Sequence, residues 1–162
     1  MNVLQIREYV VIPALTQINS YSLNAEQLVM ATGMAESNME FIHQKGGGPA
    51  RGLFQLEPVS HDDIWSRFLS KKPMLLNDLR ALIMKDMDLH DQLHGNLFYA
   101  AAMCRIFYLR FRQPLPDAGD WQGMAEYWKK YYNTHLGAGT VDGFIQKAMP
   151  VINMYAKERE AS

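Results

Sequence analysis

The sequence is short of several features that would tie it to a known chemistry. It has one cysteine, Cys104, so no intramolecular disulfide is possible. The neighbours of Cys104, AAMCRIF, are apolar, and a thiol in that setting reads as a buried structural group rather than a nucleophile. No apolar run reaches the roughly 18 residues of a membrane-spanning helix, so no membrane insertion is expected. There is no internal repeat and no low-complexity tract. Nor is there an excess of either charge: 16 Lys and Arg stand against 17 Asp and Glu. A formal charge of −1 excludes a strong sequence-wide pull toward nucleic acid or an anionic membrane, and no nucleic-acid partner is expected. The N-terminal stretch MNVLQIREYVVIPALTQ carries Arg7 and Glu8 ahead of a short apolar run and has no small-residue cleavage site. It reads as an amphipathic first helix, not as a signal peptide.

What is present suits one globular domain spanning 1–162. The chain is 48% hydrophobic and 20% charged, and its length suffices for a sizeable core. The hydrophobic spacing predicts a mainly α fold with six to eight helices and little strand. The first helix covers 2–18, with a kink expected at Pro13. A second runs from Ala25 to about Ser37, with Asn24 as its N-cap, Gln27 as the capping-box partner, and Leu28, Ala31 and Ala35 on one face. Residues 38–51 are a loop, and GLFQL at 52–56 is a strand or an extended turn. Ser60 and Asp63 suggest the cap of a helix reaching Leu69. Pro73 starts another that runs through Met87, and a polar break follows at His90–Gly95. The clearest helix is 96–111, where Leu97, Ala101, Cys104, Tyr108 and Phe111 recur at steps of four and three. Asp120 caps a helix from Trp121 to Tyr132. Thr140 caps the last one, with Val141, Phe144, Ile145, Ala148 and Ile152 inward and a bend at Pro150. The 11 methionines read as core filling.

Three blocks offer chemistry. The first is GMAESN at 33–38, where Glu36 stands near a helix C-terminus. The helix dipole disfavours an acid there by roughly 0.3–1 kcal/mol, which hints at a purpose. Gly33 is one turn away, and small neighbours leave room for something bulky to approach. A carboxyl held among apolar groups has a raised pKa and can donate a proton near neutrality. The second block is RGLFQLEP, where Gly52 permits close backbone approach and Gln55 offers an acceptor and two donors. The glycines at 46–48 are not a phosphate loop, since no Lys-Ser/Thr follows in a strand–helix setting. The third is AEYWKKYYNTHLGAGTVDGFI. There Tyr127, Trp128, Tyr131 and Tyr132 offer flat faces with polar tips that suit sugar rings. His43, His61, His90, His94 and His135 form no convincing ligand set. His90 and His94 are four apart, but Gly95 and the polar break weaken a helical site, so no metal is expected.

In this order the blocks resemble the soluble lytic transglycosylase family of the lysozyme-like superfamily. The matching segments are MAES at 34–37, GLFQLEP at 52–58, the Asn-led NLFYAAAMCRIFYLRF at 96–111, and YYNTHLGAGTV at 131–141. Together they span roughly residues 25–146. The loop after Glu36 lacks the Ser usual in the family, 70–94 reads as an insertion, and the Tyr-Asn pair is followed by THLGAG rather than directly by Ala-Gly. The resemblance implies a lysozyme-like (goose-type lysozyme / lytic transglycosylase) domain that cleaves peptidoglycan glycan strands, with no cofactor and no metal; the sequence does not fix the oligomeric state, and a monomer is expected. It implies that Glu36 serves first as acid and then as base at the bond between N-acetylmuramic acid and N-acetylglucosamine. Gln55 and the backbone at Phe54 would hold an N-acetyl group or hydroxyl. Tyr132 would orient Glu36 or the substrate, Asn133 would fix its loop, and Ser37 would support the Glu36 backbone. Glu40, Glu57, Asp62 and Asp63 are the candidates for a second carboxylate. With Glu57 or Asp62 as base for water, the enzyme would be a lysozyme-type hydrolase. A non-catalytic wall-binding or virion module is a third reading. Delivery to the wall, without a signal peptide, would come from phage release, a virion or dedicated export.

Overall fold

The computed structural model describes residues 1–161, which form eight helical segments and no sheet. Helix α1 covers 3–17 and holds a π-helical turn at Arg7–Val11 just before Pro13. That wide turn accommodates a ring that cannot donate to the preceding turn, so the helix passes the proline without ending. Helix α2 is Leu23–Ser37. Its N-cap is Ser22, whose hydroxyl accepts the Ala25 N–H, and not Asn24. The Asn24 side chain instead reaches the Pro116 carbonyl, and Gln27 is buried and accepts the Gly119 N–H. The predicted capping box is therefore replaced by two tertiary hydrogen bonds.

Helix α3 covers 58–71 and relaxes from α to π to 3-10 geometry along its length. It starts at Pro58, earlier than the predicted Ser60–Asp63 cap, because proline is preorganised for a first helical turn. Helix α4 is Pro73–Arg80 and stops well short of Met87. The predicted polar break at His90–Gly95 is in fact helix α5, Leu89–Gly95, capped by Asp88 accepting the His90 N–H. Helix α6 is Leu97–Leu109, capped by Asn96. Helix α7 covers 121–133, starting from the Asp120 cap and ending in a π-helical turn at Lys129–Asn133. Helix α8, Val141–Ala161, begins where Thr140 accepts the Gly143 N–H and runs through Pro150. Its buried positions are Phe144, Ala148, Val151 and Tyr155, with Val141, Ile145 and Ile152 only partly covered.

Helix α2 is buried on every side from Ala25 to Ala35, not on one face. It is the central element, with α8 its most extensive neighbour and α1 and α6 also against it. A helix apolar all round is a core helix, and this one carries the catalytic candidate at its C-terminal end. No helix among the described residues is long and apolar enough to cross a membrane.

Candidate active site

The end of α2 is built to turn sharply. Asn38 and Met39 both take left-handed conformations, at φ +52, and their N–H groups close back on the Met34 and Gly33 carbonyls. The Met39 side chain then folds under the helix and is fully buried. The Gly33 position serves this packing. A Cβ there would lie 3.0 Å from Met39 Cε and 3.2 Å from Phe54 Cε1. The space beside Gly33 is thus filled by protein, and the expectation that it leaves room for a substrate is overturned.

The segment 52–56 is a tight turn, with only isolated bridges joining Arg51 to His43 and Leu56. Gly52 sits at φ +76, and a Cβ there would fall 1.8 Å from the Leu93 carbonyl oxygen, so only glycine fits. Gln55, at φ +48, donates from Nε2 to the Gly52 carbonyl at 2.8 Å. The Ser37 hydroxyl lies 2.6 Å from the Leu53 carbonyl and accepts the Met39 N–H, which binds the turn to the end of α2. From the far side, the Tyr132 hydroxyl donates to the Phe54 carbonyl at 2.7 Å.

These elements enclose a cleft of about 810 Å³. Glu36, Ser37, Gln55, Tyr132 and Asn133 line it, as do Glu57, Arg110, Tyr131, Leu136 and Lys147. Phe54 lies beneath it, buried, and contributes its backbone. Of the four quoted aromatics only Tyr131 and Tyr132 face the cleft; Tyr127 and Trp128 are buried. Of the second-carboxylate candidates only Glu57 lines it. Asp62 is held by two histidines and Asp63 by Arg67 and Arg110. The Asn133 amide oxygen accepts from Lys129 Nζ, which also donates to the Gly137 carbonyl and so gathers the 133–139 loop.

Glu36 is partly buried, and its Oε1 accepts the indole N–H of Trp128 at 2.8 Å. Burial dominates its acidity and pushes the carboxyl up to about 7, against the smaller opposing pulls of Trp128 and Lys147. Lys147 itself donates to the Ala35 carbonyl, one residue before Glu36. Behind the carboxyl stand Cys104, Tyr108 and Tyr132. Burial raises both tyrosine hydroxyls well above their ordinary range and raises the thiol too, with the charge of Glu36 adding to each. They therefore stay neutral, and the wall behind Glu36 offers it no compensating cation.

Sequence reasoning reads Trp128 as a sugar platform or a half-buried core aromatic. Its role as hydrogen-bond donor to Glu36 comes from tertiary placement. The ring is clamped against Phe144 of α8 at 5.1 Å, and a Cβ at Gly139 would approach it to 2.5 Å. The cleft is also where the backbone is most unusual. Of the five non-glycine residues with positive φ among those described, Asn38, Gln55 and Thr134 line it and Met39 follows Asn38; only Asn19 lies elsewhere. Such conformations persist where the surroundings over-determine them, and they cluster at functional sites.

No known protein family, curated protein or solved structure matches the chain. What it does is therefore argued from this site.

Proposed function

We propose that the protein cleaves peptidoglycan as a lytic transglycosylase, with Glu36 as its one proton-handling group. The observation that carries this reading is a single carboxyl, raised to about 7, facing a cleft large enough for several sugar rings. An acid of that strength is divided between both protonation states near neutral pH, which one group needs if it serves as acid and then base. In the first step protonated Glu36 gives its proton to the glycosidic oxygen between N-acetylmuramic acid and N-acetylglucosamine, and the bond breaks. The substrate's own N-acetyl oxygen shields the cationic C1. In the second step the Glu36 carboxylate takes the proton of the muramoyl C6 hydroxyl as that oxygen closes on C1. The product is a 1,6-anhydro end, and Glu36 returns to its protonated state.

Supporting roles follow from position. The Gln55 side chain reaches the cleft with its Oε1 accepting from no described residue, and suits a sugar N–H or hydroxyl. Tyr132 acts through the Phe54 carbonyl, fixing the Gly52–Leu56 turn rather than bonding Glu36. The Ser37 hydroxyl is consumed by internal bonds and supports the backbone beneath Glu36. Asn133 holds the rim.

A second reading has one observation in its favour. Glu57 is exposed and lines the same cleft, so it is available as a base for water in a lysozyme-type hydrolysis. Mass spectrometry of products from purified sacculi decides between them, because an anhydro end is one water lighter than a hydrolysed end. Anhydro ends from wild type, lost in Glu36→Gln and retained in Glu57→Gln, are expected. Only reducing muramic ends, abolished by Glu57→Gln, would establish hydrolysis instead. Equal inertness of wild type and Glu36→Gln, with both still binding sacculi, would remove the enzyme reading.

A further inference from the structure

Away from Glu36, the fold assembles a second chemical group that sequence spacing did not suggest. His61 and Asp62 are neighbours on α3, and His90 stands on α5. One nitrogen of each ring and one Asp62 carboxylate oxygen lie within 4.8 Å of one another. His61 is held in place from behind. The His61 ring is 1% exposed, with Nε2 2.7 Å from the Tyr99 hydroxyl, and that hydroxyl also accepts the Trp65 indole N–H at 2.9 Å. His61 Nδ1 is left facing Asp62 Oδ1 at 3.1 Å. His90 Nε2 approaches the same oxygen at 2.7 Å. The two rings meet edge to face, with centroids 5.1 Å apart. Asp62 is exposed. Asp88, at the N-cap of α5, adds a second carboxylate whose charge reaches His61.

We propose that His61, Asp62 and His90 bind a divalent transition-metal ion of the zinc class, through Nδ1, Oδ1 and Nε2 respectively. Two imidazoles and one carboxylate are a borderline donor set that such an ion takes, with water or Asp88 completing four-coordination. Without the ion, the Asp62 oxygen accepts an N–H from each ring. With it, the metal stands between the three ligand atoms, and His61 turns its remaining N–H toward Tyr99. The Tyr99 hydroxyl serves both states, since it can donate to a bare Nε2 or accept from a protonated one. The ion would pin the 70–94 segment onto α3. The start of that helix also lines the cleft through Ser60, next to Glu57. A metal here would thus stiffen one cleft wall without touching Glu36, and the site stands whatever reaction the cleft performs.

The test is isothermal titration of the chelator-treated full chain with zinc chloride, beside thermal melts with and without zinc. One ion per chain at micromolar affinity or tighter is expected. Tm should rise by roughly 5–10 °C at a hundredfold excess over Kd. His90→Ala and Asp62→Asn, at accessible positions that leave the fold intact, should each weaken binding at least 100-fold. Tyr99→Phe, which removes only the hydroxyl behind His61, should weaken it about 10- to 100-fold. His43→Ala, in the separate ring pair with His94, should change nothing. Binding of equal strength in His90→Ala and Asp62→Asn, or no 1:1 binding below about 100 µM, would overturn the assignment.

Discussion

Two glutamates occupy the ends of α2, and their surroundings differ in kind. Glu26 near the N-terminus is fully buried, yet it accepts from the Arg7 guanidinium and from the hydroxyls of Tyr21 and Tyr155. Every element packed there supplies it a donor: α1 gives Arg7, the approach to α2 gives Tyr21, and α8 gives Tyr155. Glu36 at the C-terminus is less deeply buried but has one indole N–H as its only direct donor among the described residues. A negative charge at Glu26 is met by a positive one, and a negative charge at Glu36 is met mostly by apolar wall. The first arrangement fastens three segments together. The second leaves a carboxyl that keeps its proton up to about pH 7 beside an open cleft. Depth of burial does not set these two carboxyls apart; the number of donors does.

Removing each carboxylate should therefore break a different property. Glu36→Gln is expected to lower turnover on sacculi by about 100- to 10,000-fold, the range for losing a general acid, with the fold kept. Glu26→Ala should leave Arg7 without its buried partner and cost about 3–5 kcal/mol in urea unfolding. Activity per folded molecule should be unchanged in that variant. A stability loss in Glu36→Gln at neutral pH, or a turnover loss in folded Glu26→Ala, would erase the contrast.

The pH dependence sharpens it. The Glu36 pKa is raised from 4.5 when unfolded to about 7 when folded, so the folded chain holds the proton more tightly. Its contribution to stability is complete below pH 4.5 and is lost as pH rises through 7, an effect on the order of 3 kcal/mol. Glu36→Gln cannot lose a proton. It should thus unfold at higher urea than wild type at pH 8 and show little advantage at pH 4.5. Trp128→Phe removes the donor that favours the carboxylate, so the basic limb of the kcat/KM profile should move up by roughly one pH unit. The smallest effect is expected from Lys147→Met. Its cation is exposed, and the same limb should rise by only about a few tenths of a unit.

Some of this site was legible beforehand, for local reasons. Glu36 stood out because an acid near a helix C-terminus opposes the dipole. Gly52 stood out because close approach demands it, and the Leu93 carbonyl is what approaches. The caps at Asp120 and Thr140 follow from side chains that bond their own first turn. Misreadings fell where a distant partner won. Asn24 and Gln27 were offered as a capping pair but were drawn off to Pro116 and Gly119. The 90–95 segment looked too polar for a helix, yet Gln92 is buried and bonds the Met84 and Met87 carbonyls, which gives its polarity a place inside.

Sequence alone thus determined that the chain is mainly helical, where several helices begin, and which acid sits oddly at the end of an apolar run. Those outcomes depend on contacts within a few residues, where spacing along the chain fixes distance in space. Only the tertiary structure decided that Trp128 is the donor to Glu36, that Met39 and Phe54 fill the space beside Gly33, and that His61 meets His90 across two helices. Each of those depends on how separate helices pack, and the burial that pushes Glu36 up to about 7 is a property of that packing and of no segment by itself.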